Sequence, residues 1–163
     1  MSRYRPPAAK SSPYITRAGY DALQAELTEL WKRKRPALVQ KVAEAAALGD
    51  RSENAEYLYG KKQLHETDRR IRYLARRLDE LTVVERLPED RTRVRFGAWV
   101  TVEDAAGERS RYRLVGADEA DASVGCISVD SPLAQALLNQ RAGALVTAAE
   151  RTWRLTAVSY ATD

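Results

Sequence analysis

The sequence predicts an α+β protein, a long antiparallel helical hairpin followed by a small sheet-plus-helix domain. Three observations carry this. Apolar residues recur every three and four positions up to Gly49, they recur again in heptads after it, and near Pro88 the period drops to two. The first stripe runs Tyr20, Leu23, Leu27, Leu30 and Trp31, then Leu38, Val42 and Ala45 or Ala46, with Thr16 as its N-cap. It predicts one amphipathic helix. Pro36 deletes a backbone hydrogen bond inside that stripe, so a kink or irregular turn is expected there.

After Gly49 the heptad sites are Tyr57, Leu64, Ile71 and Leu78, with Leu74 and Leu81 at the alternate position. Such a seam needs a partner helix. The short connection at 49–52 makes the preceding helix that partner, packed antiparallel as a coiled coil. Each arm would run about 45 Å at 1.5 Å per residue, longer than its own packing requires. A plain dimerisation coiled coil would instead leave an open-ended seam, and the Gly49 break argues against it.

Beyond Pro88, Val94-Arg95-Phe96 and Trp99-Val100-Thr101-Val102 lead through Ala106-Gly107 to Tyr112-Arg113-Leu114-Val115, a predicted hairpin. Ile127-Ser128-Val129 forms another strand. Ser131 then caps a short helix that starts at Pro132 and runs through Leu138. After Gly143, Ala144-Leu145-Val146 and the run from Trp153 through Val158 predict two more strands. The expected division is a flexible basic tail over 1–12, a hairpin domain over 13–87 and a sheet domain over 88–163.

Composition excludes several classes. No window approaches the roughly 18 apolar residues of a membrane span, and the first thirteen residues lack an apolar signal stretch, so a cytoplasmic protein is expected. The single cysteine, Cys126, rules out an intrachain disulfide and a cysteine-cluster metal site. Through residue 87 there are 18 Lys and Arg against 12 Asp and Glu, and after it 9 against 11. The first half is therefore the cationic one, which fits either a polyanionic partner or a solvated helical face.

The hairpin tip, Leu48-Gly49-Asp50-Arg51-Ser52-Glu53-Asn54-Ala55-Glu56-Tyr57, sets two carboxylates three residues apart. Asp50 as an N-cap with Glu53 at the third helical position would be a variant capping box. Alternatively, the two could hold one hard cation such as Mg²⁺, with the remaining ligands supplied by another macromolecule. Behind the tip lie Lys61, Lys62, Arg69, Arg70, Arg72, Arg76 and Arg77, faced by Lys32, Arg33, Lys34, Arg35 and Lys41 on the first helix. Acid at the end and base along the shaft suit a probe that grips a nucleic-acid backbone. No catalytic Ser/His/Asp set, phosphate loop or zinc spacing is present, so the chain holds no visible active site of its own.

The tip, the run from Tyr20 to Leu30, the shaft Asp68-Arg69-Arg70-Ile71-Arg72-Tyr73-Leu74, the strand Phe96-Gly97-Ala98-Trp99-Val100 and the segment Ile127-Ser128-Val129-Asp130-Ser131-Pro132-Leu133-Ala134 closely resemble the Gre family of bacterial transcript cleavage factors. Arg51-Ser52, Tyr59-Gly60-Lys61-Lys62 and the arginine-rich shaft resemble its GreB branch. The resemblance implies a coiled coil that enters the secondary channel of RNA polymerase and an FKBP-like domain that grips the channel rim. It implies that Asp50 and Glu53 help the polymerase's own active site hold a second Mg²⁺ and hydrolyse backtracked RNA, with Asp50 the more direct ligand. No metal would be bound stably by this chain alone. Lys61, Lys62, Arg69, Arg70 and Arg76 would hold the 3′ segment of the nascent RNA, and Asp130, Ser131 and Pro132 would meet the polymerase. The protein would act as a monomeric cofactor to another enzyme. Two rivals remain: a channel-binding regulator that inhibits or modulates polymerase without cleavage, and a purely structural nucleic-acid-binding coiled coil.

Overall fold

The computed structural model describes residues 10–49 and 54–160. The chain forms two compact units, Tyr20–Leu81 and a second made of Met1–Gly19 with Thr82–Asp163. The expected hairpin domain over 13–87 is wider than the hairpin unit, since 13–19 and 82–87 fall in the other unit. Strand β1 (Tyr14–Ile15) pairs in parallel with β2 (Thr82–Val83). Ile15 is fully buried there. Just before β1, the backbone N–H of Ser12 donates to Asp130 at 2.8 Å and its hydroxyl donates to the same carboxylate. Residues 1–9 lie outside the described residues.

In the hairpin unit the first arm is α1 (Arg17–Glu29), a π-helical turn (Leu30–Lys34) and α2 (Arg35–Ala46). The irregularity expected at Pro36 is this π turn, closed by the Arg35 N–H on the Leu30 carbonyl. It inserts one residue. Leu23, Leu27 and Leu30 would continue to 37, 41 and 44 in an unbroken heptad, whereas the buried or half-buried residues are Leu38, Val42 and Ala45. The wider turn restores the apolar face after a proline that cannot donate to the preceding turn. Trp31, expected in the stripe, is a correction: it is 58 % exposed, and the Arg35 guanidinium lies 5.7 Å from its ring. The extra residue rotates Trp31 off the seam.

The returning arm is α3 (Ala55–Glu80), which at 26 residues is about 39 Å long. Tyr57, Leu64, Ile71 and Leu78 are half-buried as one seam row, and Gly60, Thr67 and Leu74 form the more deeply buried alternate row. Gly60 allows close approach of the arms: a Cβ there would stand 3.1 Å from Cγ2 of Val42. Ion pairs that bind the arms include Arg35 to Asp68 at 2.7 Å and Arg70 to Glu26 at 2.7 and 2.9 Å.

The second unit holds a five-stranded sheet in the order β5-β4-β3-β7-β6, covered on one face by α4 (Pro132–Leu137). Its strands are β3 (Trp99–Glu103), β4 (Arg109–Val115), β5 (Cys126–Ser128), β6 (Leu145–Ala148) and β7 (Arg151–Ser159). The β3–β4 and β6–β7 pairs are antiparallel and β5 joins β4 in parallel. Val100, Val102, Leu114, Ala134, Leu137 and Leu155 make the core. Alternation in the strands sends these side chains inward. Val94-Arg95-Phe96 is not a strand, since Gly97 at φ +83° turns the chain before β3 begins. Val94 is nevertheless fully buried, and its N–H donates to the Gln140 carbonyl.

Candidate functional site

The tip acids Asp50 and Glu53 lie outside the described residues, as do Arg51 and Ser52. What flanks them is defined. α2 ends at Ala46 with Ala47 as its C-cap, and Gly49 at φ +132° takes a conformation that L side chains rarely adopt. On the other side the N-cap of α3 is Asn54. Its Oδ1 accepts from the Tyr57 N–H at 3.1 Å, and its Nδ2 donates to the Ala45 carbonyl at 2.7 Å. One amide therefore closes both helix ends. This corrects the capping-box reading of the tip: the helix starts at Ala55, so Asp50 is not its N-cap and Glu53 is not its third residue. Glu56, in the first turn, is the acid that complements the helix dipole.

A groove of about 420 Å³ runs between the arms at this end, with Lys41, Glu44, Glu56, Tyr59 and Gly60 among its walls. Glu44 accepts from Gln40 at 3.1 Å. Leu48, Leu58 and Tyr59 are 76, 51 and 64 % exposed, an apolar surface that water does not favour. Among the described residues, no group of three or more His, Cys, Asp or Glu gathers within metal-holding reach.

Along the shaft, the residues expected to hold RNA divide by heptad position. Lys62, Arg69 and Arg76 stand seven apart on the outer side of α3, all exposed and without an ion pair among the described residues. They form a line about 21 Å long. Lys61 is exposed with its Nζ 5.8 Å from the Tyr57 ring. Arg70 is different: it is tied to Glu26 and lies over Tyr73 at 5.4 Å. This pairing holds the Glu26 carboxyl below its usual 4.5, mainly through the hydrogen bond, against the opposing push of desolvation. Arg35 is similarly engaged with Asp68, and Arg77 is buried with Glu80 at 3.8 Å. Spacing alone did not separate these ties from the outward stripe, although a heptad assignment of the arginines would have.

In the sheet unit, Asp130 is exposed and holds Ser12, Ser131 caps α4 by accepting from the Ala134 N–H at 3.3 Å, and Pro132 is its first residue. The Cys126 thiol is pushed up by burial, which disfavours the reactive thiolate. No helix among the described residues is long and apolar enough to cross a membrane.

Both units match one class of protein, the transcription elongation factors. The domain described as "Transcription elongation factor, N-terminal" matches residues 13–83, and "Transcription elongation factor, GreA/GreB, C-term" matches residues 88–160. Transcription elongation factor GreB of Pseudomonas aeruginosa is 54 % identical over 164 residues, covering 98 % of each chain. That of Xanthomonas axonopodis pv. citri is 54 % identical over 166 residues, covering 99 % of each. Among solved structures, GreA factor homolog 1 of Thermus thermophilus aligns with a TM-score of 0.42 and 23 % identity, over 90 % of this chain and 97 % of that one. The chain belongs to the GreA/GreB family of transcription elongation factors, on its GreB branch.

Proposed function

We propose that this chain binds in the secondary channel of RNA polymerase and stimulates the polymerase's own endonucleolytic cleavage of backtracked RNA, so that arrested complexes restart. Asp50 and Glu53 carry the effect. The observation behind this reading is the Asn54 cap, because a helix already closed by Asn54 gives the two preceding acids no capping task. Their donor chemistry suits Mg²⁺, a hard ion that takes carboxylate oxygens and completes its shell from water and substrate phosphates. Two carboxylates are too few to hold it alone, so the polymerase's carboxylates would supply the rest. Bound there, the ion would act as a Lewis acid on the phosphodiester being cut.

The remaining residues have positioning roles. Lys62, Arg69 and Arg76 would grip the extruded 3′ segment of the transcript through its phosphates, with Lys61 beside them. Arg70 would act indirectly, by bracing the two arms through Glu26. Leu48, Leu58 and Tyr59 would lose water against the channel wall. Asp130, Ser131 and Pro132 would meet the polymerase rim, with the Ser131 cap keeping that turn rigid.

The test is Asp50→Asn and Glu53→Gln in arrested elongation complexes at limiting Mg²⁺. Each variant should bind polymerase like the parent and cleave on the order of tenfold more slowly. Raising Mg²⁺ should recover part of the loss by mass action. Normal cleavage by Asp50→Asn at limiting Mg²⁺ would sink the reading, and a channel regulator without cleavage activity would show no stimulation even in the parent.

A further inference from the structure

The C-terminal half is the acidic half, with 9 arginines against 11 Asp and Glu after residue 87, yet its charge is segregated. β4 reads Arg109, Ser110, Arg111, Tyr112, Arg113. Period two sends the three arginines to the face opposite Tyr112 and Leu114, which pack on the core beneath α4. Across the ladder, Trp99 stands beside Arg113, Thr101 beside Arg111 and Glu103 beside Arg109. Arg154 of β7 faces Glu103 from the other side. The open face of the sheet thus carries four of the nine arginines and, within its strands, one acid.

That acid offsets one arginine: Glu103 and Arg109 meet at 3.0 Å. Arg111 is exposed and makes no ion pair among the described residues; its guanidinium lies 4.2 Å from the centroid of the Trp99 ring. Arg113 lies 5.9 Å from the same ring, and its Nε donates to the Gly97 carbonyl at 3.4 Å. For Arg111, stacking uses the flat face of the guanidinium and leaves its N–H edge, the part that binds phosphate, for another partner. It also holds the side chain in place before any ligand arrives, which reduces the entropy lost on binding. Alternate residues of a strand are about 6.8 Å apart, so Arg109, Arg111 and Arg113 follow one another at a regular interval along β4. A polymer carrying one negative charge per unit along an extended backbone complements that line.

We propose that this face, the β4 arginines around Trp99, binds single-stranded RNA independently of the hairpin stripe. RNA is the occupant because the charges repeat regularly along one direction, and because an elongation factor works where a single-stranded transcript is present. The proposal needs neither Asp50 nor Glu53 and no polymerase, so its failure and the failure of the cleavage reading are separate results.

The experiment measures fluorescence anisotropy of a labelled single-stranded RNA with the full chain carrying Lys62→Gln, Arg69→Gln and Arg76→Gln, which silences the outward stripe. This parent should retain salt-dependent binding. Adding Arg111→Gln and Arg154→Gln should weaken it on the order of tenfold and flatten the log K against log salt slope by about 1.4. Arg91→Gln with Arg95→Gln makes the same change in net charge away from the face and should have a markedly smaller effect. No binding by the parent, equal losses from the two pairs, or equally tight binding of an acidic peptide would each overturn the proposal.

Discussion

Asn54 shows how much a single side chain decides. Its amide serves α3 through Oδ1 and α2 through Nδ2, so one side chain ties together the two helix ends at the hairpin turn. Replacing it with Ala removes the cap and leaves the Ala45 carbonyl without this donor; we expect a loss of about 1 to 2 kcal/mol in chemical denaturation. Asn54→Asp keeps the acceptor but sets a carboxylate against that carbonyl, so it should fall between the two. Equal stability for all three would mean that the turn is held by something else. The signal was legible, since Asn is a preferred N-cap and stands three residues before Tyr57, but Asp50 and Glu53 offered a competing frame. Trp31 was misassigned for a related reason: one inserted residue moved it off the seam, and the step from Leu30 to Leu38 already carried that frame shift.

At the scale of elements, one ion pair between the hairpin arms contributes a pH-dependent stability. The Glu26 carboxyl is held below 4.5 by Arg70, so its contribution to stability is complete above that pH and is lost as pH falls through the lower folded-state value. Side chains that are 45 and 39 % exposed keep this contribution under about 1 kcal/mol. Melting curves at pH 7 and pH 3 should show a smaller acid-induced drop for Glu26→Gln than for the parent; identical drops would exclude the pair as a cause. The β6–β7 turn stores backbone strain instead. Ala149 at φ +49° and Glu150 at φ +63° both occupy the left-handed region that a two-residue turn of this hand requires and that Asn and Gly adopt more readily. Ala149→Asn with Glu150→Gly should therefore stabilise the sheet unit by about 1 kcal/mol, read as a raised melting temperature. An unchanged or lower melting temperature would show that other interactions of these side chains outweigh the strain.

At the scale of the molecule, local rules and distant pairings divide the result. The helical hairpin and its seam, the Ser131 cap with Pro132 behind it and the β3–β4 hairpin were legible because periodicity and capping act over a few residues, and the family was legible from the resemblance of its motifs. β1–β2 was not, since Tyr14 pairs with Thr82, 68 residues further along the chain, in a register that no local pattern encodes. The difference between arginines was legible in part: heptad position sets Lys62, Arg69 and Arg76 on the outer side, but only the structure shows Arg70 and Arg35 absorbed by Glu26 and Asp68 on the opposite arm. A count of charges by half called the C-terminal region acidic and hid the arginine face that the β4 register assembles. Read alone, the sequence placed most of the helices and the β3–β4 hairpin through short-range propensity and apolar period, and the resemblance of its tip, shaft and strand motifs pointed to the family. Only the tertiary structure decided which frame meets the seam, which residue closes the tip and which cations remain for a partner, because each depends on alignment between elements far apart in the chain.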